Sequence, residues 1–256
     1  MTAAATPSLS TRELTIRFGG HVAVNGVTAD FFPGQLTVIV GPNGAGKTTC
    51  FNLMSGQLPA TSGQVLLRGR DITKLGPARR TRLGIGRAFQ LTNLFPHLTV
   101  MENVRLAVQS RAHAGLDMFS LWFGHRELIE RAEHFLQRVN LYDRRDALAA
   151  SLPHGDKRKL EVALLLALEP DILMFDEPTA GMSVDEVPVV LDLIRQVKED
   201  RGKTVLLVEH KMDVVRSLAD RIIVLHNGTL VADGDPAEVM ASDIVQEAYL
   251  GTATHD

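Results

Sequence analysis

The 256 residues contain a single cysteine, Cys50. No disulfide can form within the chain, which suits a reducing compartment. There is no excess of positive charge either. Lys and Arg number 27 against 30 Asp and Glu, a net charge of −3, so no global basic field points to nucleic acid. The N-terminal stretch MTAAATPSLSTRELT lacks the apolar core of a signal peptide, and export is not expected. The longest apolar stretch, Leu160 to Phe175, is broken by Glu161, Glu169, Pro170 and Asp171. It is too short and too charged to span a bilayer, so any membrane role is peripheral. Internal repeats are absent, and low complexity is confined to the short Ala/Thr/Ser N-terminus.

What remains is ordinary for a globular chain: 45% apolar and 22% charged residues, enough for one large domain or a core with a subdomain. The first third reads as strands. ELTIRF runs into a Gly19-Gly20 turn, and GVTADFF and GQVLLRG alternate or end in glycine. QLTVIV is almost wholly apolar, as a buried parallel strand requires. The middle third reads as helices. From Leu128, apolar residues recur at Ala132, Phe135, Leu136 and Val139, and MENVRLAVQSRA forms a second helix. The last third alternates: a helix from near Asp156, the strand DILMFD, a helix over Val184–Glu199, the strand TVLLVEH and a helix over Met212–Ala219. RIIVLHNGTLVADG closes as a hairpin turning at Asn227-Gly228. Such alternation predicts an α/β fold with a mainly parallel sheet covered by helices, the helical middle third being an insertion.

Two motifs carry chemistry. GPNGAGKTT directly follows the strand QLTVIV and opens the apolar segment CFNLMSG. This is the G-x-x-x-x-G-K-[ST] spacing in its strand–loop–helix context. In the loop Gly41, Pro42, Asn43, Gly44, Ala45 and Gly46, the glycines would let the backbone N–H groups (all but proline's) turn around a phosphate, and the new helix adds its N-terminal partial charge. Lys47 would reach the β- and γ-phosphates, and the Thr48 hydroxyl would meet Mg²⁺, with Thr49 completing the loop. The second motif, DILMFDEP, is an apolar strand ending in Asp176 and Glu177. A carboxylate there can hold Mg²⁺, and its neighbour can polarise an attacking water.

Together these pieces resemble the ATP-binding subunits of ABC transporters over nearly the whole chain. The resemblance implies a P-loop NTPase core with an N-terminal antiparallel β subdomain and an inserted helical subdomain. Residues 8–90 and 160–256 would form the core and β subdomain, and 91–159 the helical subdomain, within one ABC ATPase domain. It implies ATP and Mg²⁺ as cofactors. Phe18 would stack on adenine. Gln90, in GRAFQLTNLFPHLTVMENV, would be the Q-loop glutamine and a further metal ligand beside Thr48 and Asp176. His210, in LLVEHKMD, would be the switch histidine. Glu177, His210 and Lys47 would then carry catalysis.

The stretch SLPHGDKRKL aligns with the signature loop, usually Leu-Ser-Gly-Gly-Gln, as Leu152, Pro153, His154, Gly155 and Asp156. In the family this loop faces the γ-phosphate held by a second ATPase subunit. Gly155 would let the backbone approach that phosphate, and the basic run behind it would form a solvated face. Pro153 stands where serine is usual and has neither a hydroxyl nor an N–H to donate. Ala180-Gly181-Met182-Ser183 replaces the usual Ser-Ala-Leu-Asp. These variants and the ending AYLG resemble the subunits of branched-chain amino acid importers, with urea importers similar. The expected protein is a cytoplasmic ATPase, peripheral on the inner face of the cell membrane. Its expected partners are membrane-spanning permease subunits and a second ATPase subunit, more readily a heterodimer than a homodimer. PHLTVMENV and LDMFSLWFGH, with Phe95 and Trp122, would lie near the permease. The alternative is a soluble ABC ATPase acting on nucleic acid or ribosomes, which usually carries coiled-coil insertions, a second cassette or basic surfaces. A nucleotide-binding regulator without turnover would lack Glu177.

Overall fold

The computed structural model describes residues 6–88, 94–112, 126–199 and 202–242. Contacts divide the chain into two compact units. One comprises Met1–Ile85, Asp171–Glu177 and Val197–Asp256, the other Gly86–Pro170 and Pro178–Gln196. The elements run β1 (Leu9–Phe18), β2 (His21–Phe31), β3 (Leu36–Val40), α1 (Lys47–Ser55), β4 (Ser62–Leu67), β5 (Arg70–Asp71), α2 (Pro77–Arg82), β6 (Ile85–Ala88) and α3 (Val100–Arg111). They continue with α4 (Arg126–Arg138), α5 (His154–Ala167), β7 (Ile172–Asp176), α6 (Val187–Glu199), β8 (Thr204–Val208), α7 (Met212–Leu218), β9 (Arg221–His226), β10 (Thr229–Gly234) and α8 (Pro236–Ala241).

The first unit holds two sheets. An antiparallel sheet has the order β2-β1-β4-β5, and this unit's strands of the second follow the order β10-β9-β3-β8-β7. In the second sheet β9, β3, β8 and β7 are parallel, and β10 returns antiparallel on β9. The parallel strands β3, β7 and β8 are buried along their whole length, as their near-continuous apolar sequences require. Phe31 of β2, Phe51 and Met54 of α1, Ile39 of β3, Met174 of β7 and Leu206 of β8 share one core.

β1 and β2 both begin earlier than the sequence pattern predicts. The extra residues of β1 include polar ones that are paired. Ser10 and Thr11 are buried, and the Thr11 hydroxyl accepts from the Ala29 N–H at 3.0 Å. The alternation is broken at Glu13, whose φ of +47° marks a bulge between Thr11 and Leu14. The Asn227-Gly228 turn is as expected, with φ of +48° and +77°, the double left-handed geometry of a tight hairpin.

The second unit is helical around α3, α4 and α5, which pack on one another. Val100, Val104 and Val108 recur every fourth residue on α3, and all are fully buried. Ala132, Phe135, Leu136 and Val139 are buried, as the spacing predicts. Thr99 and Glu102 close a reciprocal capping box at the start of α3. Glu169, beyond α5, accepts from Arg131 of α4 at 2.7 Å and lies 3.8 Å from Arg111 of α3. Among the described residues, no helix is long and apolar enough to cross a membrane.

Candidate nucleotide site

The loop between β3 and α1 is shaped by its glycines. Gly41 and Gly46 have φ of +151° and +95°, and each touches backbone where a side chain would sit. A Cβ on Gly41 would fall 2.1 Å from the Leu225 carbonyl oxygen, and one on Gly46 2.5 Å from that of Ala23. The β9–β10 turn braces the loop from behind. Gly228 N–H donates to the Ala45 carbonyl at 3.1 Å, and Asn25 N–H donates to the Gly228 carbonyl at 2.8 Å. Gly46 caps α1 without any side-chain acceptor, so the first-turn N–H groups face the loop.

An open pocket of about 350 Å³ is lined by His21, Ala23, Asn43, Gly44, Ala45, Gly46, Lys47, Thr48, Thr49 and Glu177. Lys47 is buried, and its ammonium donates to the carbonyls of Gly41 (2.7 Å) and Pro42 (3.0 Å). Burial holds its pKa below the ordinary lysine value, opposed by the charges of Glu177 and Asp176. The Thr48 hydroxyl donates to Asp176 Oδ1 at 3.3 Å, joining α1 to the end of β7. Glu177 lies just past β7 in a left-handed conformation, φ +49°, with its N–H bonded to the Val208 carbonyl at 3.0 Å. This is a costly backbone state for a glutamate, and it turns the side chain out of the sheet toward the pocket. His210 follows β8, with Nδ1 3.9 Å from Glu177 Oε1. Cys50 is buried in α1, and burial pushes its thiol up to about 12.

Phe18 is half-exposed at the end of β1 and does not line the pocket. Its cross-strand partner His21 does, an arrangement set by the Phe18–His21 pairing around the Gly19-Gly20 turn. His21 and Ala23 were not singled out from sequence, since only the hairpin register brings them here. Gln90 lies outside the described residues, as do Trp122 and its apolar neighbours.

The signature-like stretch belongs to the second unit. α5 begins at His154, two residues before the expected start, because Pro153 with φ −56° serves as its N-cap. No side chain caps this end. Asp156 in the first turn is instead held by Lys159 at 2.9 Å and Arg144 at 3.2 Å. Leu152 is buried beneath it. The basic run is not a solvated face: Arg158 and Lys159 are largely buried and pair with Glu161 and Asp156 one turn away. Burial raises the pKa of Glu161, and Arg158 works against that. Gly155 has an immediate steric reason, since a Cβ there would fall 1.8 Å from Glu186 Oε1. Glu186 in turn accepts from the N–H (3.1 Å) and hydroxyl (3.0 Å) of Ser183. The His154 ring lies against Gly181, where φ is +72° and a Cβ would meet Cε1 at 3.0 Å. Two departures from the usual family pattern, the ring and the glycine, thus pack against each other.

A family model described as "ABC transporter" matches residues 24–180. The chain belongs to the ABC transporter family, as an ATP-binding subunit. A second model, "Branched-chain amino acid ATP-binding cassette transporter", matches residues 229–255. The chain is 37% identical over 252 residues to the high-affinity branched-chain amino acid transport ATP-binding protein LivG of Escherichia coli, covering 96% of this chain and 99% of that one. It is 38% identical over 254 residues to BraF of Pseudomonas aeruginosa, a protein of the same description, covering 96% and 99%. Among solved structures it resembles an ATP-binding cassette of an ABC transporter in its ADP conformation. The TM-score is 0.80 at 29% identity, covering 96% of this chain and 99% of that one. The expected α/β P-loop fold, with its antiparallel sheet and helical part, is therefore that of an ABC ATPase, and the chain binds and hydrolyses ATP.

Proposed function

We propose that this ABC ATPase powers uptake of branched-chain amino acids or a closely related small polar solute through a membrane-spanning permease. The observation that carries this is full-length similarity to LivG and BraF, whose names specify branched-chain amino acid transport, joined to the match over residues 229–255. These relatives do not favour a soluble ATPase working on nucleic acid or ribosomes. The helical unit offers an apolar surface for a permease. Phe95 and Leu148 are 55% and 49% exposed, and they flank a ladder in which Ala149 and Ala150 N–H groups donate to the Leu98 and Pro96 carbonyls. A permease docked there would hold the chain on the inner face of the membrane.

The pocket supports hydrolysis by in-line attack of water on the γ-phosphorus, driven by positioning and charge. Glu177 orients and polarises the water. Lys47 and His210 face the phosphoryl charge, and the loop N–H groups from Asn43 to Thr49 hold the remaining phosphates. Phe18 and His21, opposed across the hairpin, bound the base and ribose side. Thr48 and Asp176 present a hydroxyl and a carboxylate oxygen side by side, the hard donors that Mg²⁺ takes. When bound, Mg²⁺ neutralises phosphate charge, with Gln90 as a further ligand.

Dimerisation is part of the proposal. A cassette 26% identical to this chain, TM-score 0.76, is described as dimeric in a post-hydrolysis state with ADP and phosphate. In a homodimer both nucleotides would face Pro153 and lose the usual serine donor. A hydrogen bond to a charged group is worth roughly 1.5–3 kcal/mol, about tenfold to a hundredfold in affinity. A sibling ATPase with a complete signature loop would restore one site, the one held here by Lys47 and Glu177. The test is to co-express this chain with neighbouring permease and ATPase genes, isolate membranes, and measure branched-chain amino acid uptake. Copurification with a permease and ATP-dependent uptake are expected. A chain that stays unbound, or a complex that transports an unrelated solute, would sink the assignment. Equal ATP-dependent dimerisation and turnover by the isolated chain and the pair would sink the heterodimer.

A further inference from the structure

We propose that Glu209, which neither motif includes, is the positioning residue of His210. The inference rests on the reading of His210 as a phosphate contact. Glu209 follows β8 directly, and its side chain is wholly buried. A carboxylate in such a place is costly unless hydrogen bonds satisfy it. Its Oε2 accepts from two successive backbone N–H groups, His210 at 2.7 Å and Lys211 at 3.1 Å. The N-cap of α7, Lys211, contributes no side-chain cap of its own. The turn carrying His210 is therefore tied from beneath by one buried carboxylate, between the end of β8 and the start of α7.

The ring itself is held less tightly. His210 Nδ1 is 3.6 Å from Glu209 Oε2 and 3.9 Å from Glu177 Oε1, both beyond hydrogen-bond length, and the side chain is 52% exposed. What fixes the histidine is thus its backbone, and Glu209 fixes the backbone. Phosphoryl transfer depends on such placement, because misplacement by about 1 Å can cost on the order of a hundredfold in rate. Glu209 touches no reacting atom, and its contribution passes through His210.

The test compares Glu209→Asp, Glu209→Gln, Glu209→Leu, His210→Ala and the double variant Glu209→Asp/His210→Ala. Each is measured in the purified full chain by single-turnover hydrolysis at high enzyme concentration and by ADP affinity. Aspartate keeps the charge in the same pocket but withdraws the acceptor by one methylene, so it remains informative if the leucine variant does not fold. We expect Glu209→Asp to slow hydrolysis on the order of tenfold with ADP affinity within about twofold of the parent. Glutamine, whose amide oxygen can accept both N–H groups, should stay within a few-fold. The double variant should be no slower than His210→Ala. Parental rates in the aspartate variant would overturn the inference, as would additive losses in the double variant or a parallel loss of ADP binding. Parental hydrolysis by His210→Ala would instead overturn the role given to His210 itself.

Discussion

Arg80 is the largest polar side chain in the core, and its replacement by methionine has a cost that the structure lets one work out. Arg80 is 2% exposed, and its guanidinium donates to four carbonyls: Leu53 and Met54 in the last turn of α1, each at 2.7 Å, and Thr73 and Leu75 before α2, each at 2.8 Å. It thereby closes the C-terminal end of the helix whose other end carries the phosphate loop, where a cation also suits the helix dipole. The bonds to Leu53 and Met54 are fully buried, and hydrogen bonds to charged groups contribute about 1.5–3 kcal/mol each. Against this gross loss of about 3–6 kcal/mol, methionine escapes the desolvation that pulls the Arg80 pKa down to about 10. A net destabilisation of about 3 kcal/mol is expected, comparable to breaking a buried charged pair. For a domain of this size that lowers Tm by roughly 6–12 °C. Urea titration of the purified chain measures it. Lysine, a single point of charge without the planar fork, should recover about half. A methionine variant within about 1 kcal/mol of the parent, or full recovery by lysine, would refute this account of the helix end.

Thr99→Ala removes the capping box of α3 and should cost about 1 kcal/mol at neutral pH. Hydrogen bonds from the Thr99 N–H and hydroxyl hold the Glu102 pKa below its ordinary value of 4.5, so that stabilisation is complete above this value and lost as pH falls through the lowered one. The gap between parent and variant in urea midpoints should therefore be constant above about pH 5.5 and narrow below pH 4.5; a gap that widens on acidification contradicts the linkage. His21→Ala should weaken ATP binding about threefold to tenfold, roughly 1 kcal/mol, by fluorescence titration, and an unchanged affinity would remove His21 from the nucleotide site.

The phosphate loop was legible because its spacing leaves few alternatives: a lysine and threonine after a glycine that must adopt φ +95° against a backbone carbonyl. The parallel strands and α4 were legible from apolar pattern alone. Other features were hidden for physical reasons. Early in β1 the Thr11 hydroxyl, which interrupts the apolar pattern, is satisfied inside the sheet. α2, PARRTR, shows no apolar stripe because its buried face is a guanidinium wrapped in carbonyls. His21 enters the pocket through hairpin register, and Gly155 is explained by Glu186, thirty-one residues away in sequence. Such partners are set by tertiary contact, and no local pattern announces them.

If Glu177 activates the attacking water, ATP hydrolysis in this pocket depends on its carboxylate. Glu177→Gln keeps the shape and removes the base. Steady-state phosphate release and ATP affinity should be measured side by side on the parent and variant. Turnover should fall on the order of a hundredfold or more, with ATP affinity unchanged within a few-fold. A variant that turns over ATP at a near-parental rate would contradict it.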